Sequence, residues 1–140
     1  MAGYSGTPLP RKLGVKDDHL VLLDGLPPGV DLGDLGAAEV VTRLPRRPLD
    51  LTVTFHTRLA PLRARLPALI ERTAAAGMIW VCWPKKTARA EVERSLGVSC
   101  DLDENLVRAL ALELGVVDVK VAAIDEHWSG LKLVRRLADR

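Results

Sequence analysis

The chain has 140 residues, 48% of them hydrophobic, with 20 Lys and Arg against 18 Asp and Glu and a net charge of +2. A chain of this length forms one domain, 1–140, and buries roughly 68% of its unfolded surface, enough for a core without staples. That balance excludes a disordered chain and leaves no electrostatic footprint for nucleic acid or an anionic membrane.

Residues 1–18 read as an N-terminal arm, extended at first and then carrying a short helix. Thr7 is its expected N-cap, Pro8–Leu13 its body and Gly14 its left-handed stop. His19–Leu23 is the first strand. From Asp24 to Ala38 the prolines and glycines predict a long loop with at most one helical turn. Glu39–Leu44 is a short edge strand; its parallel pairing needs about a dozen intervening residues, which the loop barely supplies. Arg43–Pro48 is a basic turn. Leu49–Phe55 alternates apolar and polar residues as a third strand.

Thr57 is the expected cap of a helix with Leu59, Leu62, Leu66, Leu69 and Ile70 on one face. Pro67 inside it predicts a kink or two short helices, and Gly77 its end. Met78–Trp83 is apolar on both alternating faces, the habit of a central strand covered on both sides. Ala88–Leu96 has the composition of a short helix ending at Gly97, although the sequence leaves 87–100 open. Asp101 with Glu104 has capping-box spacing ahead of a helix through Leu106, Val107, Leu110 and Leu114. Val116–Ile124 and Leu131–Leu137 are strands joined by the turn Asp125–Gly130. So tight a turn makes them a hairpin. The whole reads as a three-layer α/β domain with a mostly parallel sheet and an antiparallel last strand.

Four stretches carry a resemblance. Gly14-Val15-Lys16 before the first strand, Pro48-Leu49-Asp50-Leu51, Ala76-Gly77-Met78-Ile79-Trp80-Val81 and the closing hairpin resemble parts of the Rossmann-like fold of S-adenosylmethionine-dependent methyltransferases, in reduced form. The chain also resembles a bacterial family, domain of unknown function 3052, in YSGTPLPRKLG, WPKK and VDVKVAAIDEHWSGLKLVRR. That family implies no activity. Against the methyltransferase pattern, the turn after the first strand is Asp24-Gly25-Leu26-Pro27-Pro28-Gly29, and its two prolines remove two N–H donors. The second strand ends Thr42-Arg43-Leu44 where a ribose-binding acid belongs, and the third strand of the family and its helix are missing. The departures predict no bound cofactor.

In open α/β sheets, ligands sit beyond the carboxyl ends of the strands. The expected topology brings Asp24, His56, Lys85, Lys86, Asp125, Glu126, His127, Trp128 and Ser129 to that edge, with Trp83 just before it. Lys85 and Lys86 suit a phosphate or carboxylate, or else salt bridges to Asp125 and Glu126. Trp83 and Trp128 suit stacking on a planar ligand, or else closing the core. His56 suits proton transfer or a structural hydrogen bond. Asp125, His127 and Ser129 are the residue types of a triad, but neighbours in one turn rarely take its geometry. No set of His, Cys and carboxylates has metal-ligand spacing. Cys82 and Cys100 read as reduced structural thiols. No apolar run approaches the roughly 18 residues of a membrane span, and the N-terminus lacks the apolar core of a secretory signal, so the expected location is the cytoplasm.

The favoured expectation is a non-catalytic methyltransferase-like module that binds a small anionic ligand or a protein partner. The alternative is a small enzyme, a methyltransferase with an altered cofactor pocket. More remote is a DNA-binding helix-turn-helix at 90–115, since Cys-Asp-Leu-Asp-Glu-Asn would bring acids against phosphates.

Overall fold

The apolar run does form the centre of the sheet. Every residue from Ile79 to Trp83 is at most 5% exposed. The computed structural model describes residues 6–140, so the extended opening expected for the first residues falls largely outside the described residues. In chain order the elements are α1 (Leu9–Leu13), β1 (Leu20–Asp24), β2 (Glu39–Val41), β3 (Leu49–Phe55), α2 (Leu59–Arg72), β4 (Thr73–Pro84), α3 (Arg89–Leu96), α4 (Glu104–Glu113), β5 (Val116–Ala123) and β6 (Trp128–Arg135). They build a six-stranded sheet in the order β2-β1-β3-β4-β6-β5. The pairs among β2, β1, β3 and β4 are parallel, and β6 runs antiparallel to both its neighbours. The architecture is thus Rossmann-like α/β, mostly parallel, with an antiparallel C-terminal hairpin strand.

Because side chains alternate across a strand, β4 feeds two cores. Ile79, Val81 and Trp83 pack with Leu62, Leu66 and Leu69 of α2 and with Val107 and Leu110 of α4. Trp80 and Cys82 pack on the other face, with Leu13 of α1, Leu32 of the β1–β2 loop and Val92 of α3. The two helices of the expected helix-turn-helix at 90–115 sit in different cores, Val92 of α3 with Trp80 and Val107 and Leu110 of α4 with Val81. Among the described residues, no helix is long and apolar enough to cross a membrane.

Several boundaries differ from the sequence reading, each for a local reason. Pro8, not Thr7, is the N-cap of α1, while Gly14 does take the left-handed stop at φ 90°. The β1–β2 loop forms no helix, within the limit of one turn expected of it. Instead Asp31 and Asp34 each accept the N–H two residues on, from Gly33 and Gly36, and Leu32 anchors the loop at 4% exposure. These side-chain turns compact the loop enough for β2 to pair in parallel without a crossover helix, but β2 stops at Val41 rather than Leu44.

α2 is one helix with Pro67 inside it, not two, and its N-cap is Arg58 rather than Thr57. No side chain of its own caps it. Asp101 does so from a distance, accepting the Leu59 N–H at 2.7 Å. Asp101 is therefore not the cap of α4; Asp103 is, accepting from Leu106 N–H at 2.9 Å. Nor does Gly77 end α2. The helix stops at Arg72, and β4 begins at Thr73. The register then jumps from Leu49↔Thr73 to Leu51↔Met78. A Cβ on Gly77 would stand 2.7 Å from the Leu49 carbonyl oxygen, so the glycine is there for a close approach. At the far end of the sheet β6 begins at Trp128 and ends at Arg135, not Leu131 and Leu137. Its early start follows from the Asp125 carboxylate, which accepts both the His127 and Trp128 N–H groups and closes the turn.

Candidate functional site

The carboxyl ends of β1, β3 and β4 meet at one edge, and the β5–β6 turn joins them there through Lys85 N–H donating to His127 O at 2.8 Å. The predicted residues do reach this edge. They do not form one surface, because the sheet divides them into three groups.

The first group lies on the α2 face. Arg65 of α2 grips the Asp24 carboxylate with two N–H groups, at 2.9 and 3.1 Å. The Thr54 hydroxyl donates to the same carboxylate at 2.7 Å. Thr54 Oγ1 also lies 2.7 Å from His56 Nε2. With the hydroxyl proton already committed to Asp24, this contact requires Nε2–H as donor, so Nδ1 keeps the lone pair. Burial tends to raise the Asp24 pKa, but the bonds from Arg65 and Thr54 and the Arg65 charge outweigh it, and the net direction is downward from 3.8. The His56 pKa is lowered from 6.5, first by burial and next in the same direction by Arg65, against the pull of Asp24. His56 is accordingly a neutral imidazole at pH 7, with its tautomer fixed.

This arrangement has a pH signature. A histidine whose pKa falls on folding favours the neutral form in the folded state. Its contribution is complete above the unfolded value of about 6.5 and is lost as pH drops through the lower folded value. We expect stability by urea denaturation to decline as pH falls below about 6.5. The decline attributable to this ring should vanish in His56→Asn. Asp24 should add a second decline below about pH 4, again lost as the carboxylate protonates. A His56→Asn profile identical to the parent would contradict the buried neutral ring.

The second group lies on the α4 side of the same face. Trp83 pairs with Ser129 across the ladder. Beyond them Lys85, Lys86 and Asn105 line an open depression of about 380 Å3 at the start of α4. Its two acids are engaged: Asp103 holds the Leu106 N–H, and Glu104 pairs with Arg108 at 2.6 Å. Among the described residues neither lysine has a carboxylate partner, so the expected bridges to Asp125 and Glu126 do not form. Trp83 is 5% exposed and closes the core beneath the depression rather than offering a stacking face.

The third group lies on the opposite face. Trp128 pairs with Pro84, one position along from the Trp83–Ser129 pair, and so points the other way. It meets the edge of Phe55 at 5.3 Å between ring centroids. With Asp125 and His127 it borders a cleft against Pro27–Val30 and α3. His127 Nε2 lies 3.2 Å from a Glu91 oxygen. Asp125 Oδ1 holds two backbone N–H groups, His127 Nε2 faces Glu91, and Ser129 lies on the other face of the sheet, so the three form no triad. The residues that sequence reasoning missed are Arg65, Thr54, Asn105 and Glu91. Thr54 alone had a signal, standing two residues before His56 on the same face of β3. Among the described residues no cluster of His, Cys and carboxylates is placed to hold a metal. Cys82 is fully buried, and its burial, with Asp125 nearby, pushes its thiol well above the usual range.

The fold has known counterparts. Over 84% of this chain and 74% of its own, the magnesium protoporphyrin IX methyltransferase from Synechocystis PCC 6803 with bound SAH superposes at a TM-score of 0.59 and 12% identity. The chain has a methyltransferase-like fold. The O-methyltransferase NcsB1 from neocarzinostatin biosynthesis, in complex with S-adenosylmethionine, gives 0.55 over 71% of this chain and 34% of its own, at 15% identity. LepI, in complex with SAH and a substrate analogue, gives 0.55 over 91% of this chain and 39% of its own, at 14% identity. Comparison with protein families finds no match, nor does comparison with curated proteins.

Proposed function

We propose that this chain is a non-catalytic methyltransferase-like module, a single domain of the cytoplasm, that binds a small anionic ligand at the lysine corner. One observation carries the reading: Lys85 and Lys86, free of carboxylate partners, share one open depression with Ser129 and Asn105. Two ammonium groups favour a phosphate or carboxylate there. In this reading the chain sits with domain of unknown function 3052, on the stretches YSGTPLPRKLG, WPKK and VDVKVAAIDEHWSGLKLVRR.

The residues do not fit S-adenosylmethionine. The loop after β1 presents Pro27 and Pro28, which have no N–H to offer, and Pro27 O is occupied by the Val30 N–H. The exit of β2 is Thr42-Arg43, without a carboxylate for a ribose. Asp24 at the tip of β1 is held by Arg65 and Thr54. These features support binding without methyl transfer.

A second reading, a small enzyme, is favoured by the Arg65–Asp24–Thr54–His56 chain, since a neutral imidazole of fixed tautomer is what proton abstraction requires. In that role His56 Nδ1 would accept the proton and Asp24 would stabilise the imidazolium through Thr54.

The anion reading is tested by thermal shift with inorganic pyrophosphate. Pyrophosphate should raise the melting temperature, less so as salt rises, because exposed charges are screened over about 10 Å at 0.1 M. Lys85→Ala with Lys86→Ala should abolish the shift while changing stability by no more than about 0.5 kcal/mol. A shift that survives the double substitution would place the anion elsewhere.

A further inference from the structure

We infer that the cleft between the β1–β2 loop and α3 is a second binding site, for a small organic amine carrying one ring. It lies on the face of the sheet opposite the lysine corner and is separate from it in both lining and charge. The cleft measures about 180 Å3. A cavity of roughly 150 Å3 holds benzene, so one ring of that size fits. Trp128 floors the cleft at 4% exposure and Val92 of α3 walls it at 5%. Leu96 continues that wall, and Pro27 and Pro28 face it from the loop. Both prolines hold φ without any partner, so the wall is formed before a ligand arrives, which lowers the ordering entropy of binding.

Charge chooses among ring-bearing ligands. No lysine or arginine lines the cleft, while Glu91 and Asp125 do. Each carboxylate has one oxygen committed and one open. Glu91 Oε2 faces His127 Nε2 at 3.2 Å, and Asp125 Oδ1 takes the His127 and Trp128 N–H groups. Glu91 Oε1 and Asp125 Oδ2 accept no hydrogen bond from the described residues. An ammonium beside the ring supplies three donors for those oxygens. A carboxylate in the same place meets two like charges, and a neutral alcohol brings one O–H donor for the two oxygens and no opposite charge. The ring enters the apolar floor and the ammonium stays at the rim.

The test uses the intact chain and three probes of one shape: benzylamine, benzyl alcohol and benzoate, titrated while the Trp128 indole and Val92 methyl resonances are followed by NMR. Benzylamine should shift both saturably with a dissociation constant of about 1 mM, the range open to one ring and one charge. Benzoate should bind at least about tenfold more weakly. Glu91→Gln should weaken benzylamine by about threefold to fivefold. Leu96→Trp, which fills the cleft, should abolish binding. Lys85→Ala with Lys86→Ala should leave benzylamine binding unchanged, so failure here and failure of the anion reading are distinguishable. The proposal is overturned by unsaturable or absent shifts up to about 10 mM, by benzoate binding as tightly as benzylamine, or by undiminished affinity in Glu91→Gln. Should Leu96→Trp fail to fold, the Glu91→Gln arm decides alone.

Discussion

Val81→Asp is expected to leave the chain unfolded. Val81 is 0% exposed and sits mid-strand in β4, between β3 and β6, in the core formed with α2 and α4. Among the described residues no lysine or arginine is buried in that core to pair with a carboxylate. An uncompensated buried charge costs several kcal/mol, comparable with the about 5–15 kcal/mol that hold a small domain together. Circular dichroism should show the loss of native sheet and helix, and denaturation should show no cooperative transition. A soluble Asp variant melting at the parent temperature would remove β4 from the centre of the sheet.

Trp80→Ala should cost about 3–5 kcal/mol, the range for deleting a buried aromatic. Trp80 is the largest fully buried side chain, on the face opposite Val81. It does two jobs at once. The ring fills the space beneath α1, and its indole N–H donates to the Leu13 carbonyl at 2.9 Å, close to the left-handed stop at Gly14. Trp80→Phe separates the two: it keeps most of the packing, removes the donor, and should cost about 1–3 kcal/mol. Urea denaturation of the two variants gives both values. Equal losses would mean that the hydrogen bond, not the packing, ties α1 to the sheet.

The sequence carried these two faces openly, because a run with no polar alternation has to be covered on both sides. The hairpin was legible for the same elementary reason, since its turn is too short for a parallel return. What the sequence hid were contacts at long separation. Asp101 stands three residues before Glu104 and so resembles a cap for the helix beside it, yet it caps α2, 42 residues back in the chain. Gly77 resembles a helix stop, yet its lack of a Cβ serves the approach of Leu49 O. The site divided for a register reason. A shift of one residue in the β4–β6 pairing decides whether Trp128 shares a face with Trp83, and a sequence gives direction and order far more readily than register. His56 was visible as a lone histidine, but the partners that fix its charge and tautomer come from another strand and another helix.

Calorimetric titration of the chain with S-adenosylmethionine tests whether the methyltransferase-like fold keeps a place for that compound. The Pro27-Pro28 turn and the carboxylate-free exit of β2 predict no heat of binding at ligand concentrations up to about 1 mM, an affinity weaker than about −4 kcal/mol. A saturating isotherm with a dissociation constant near 1 μM, about −8 kcal/mol, would overturn the expected absence of binding and favour the small-enzyme reading.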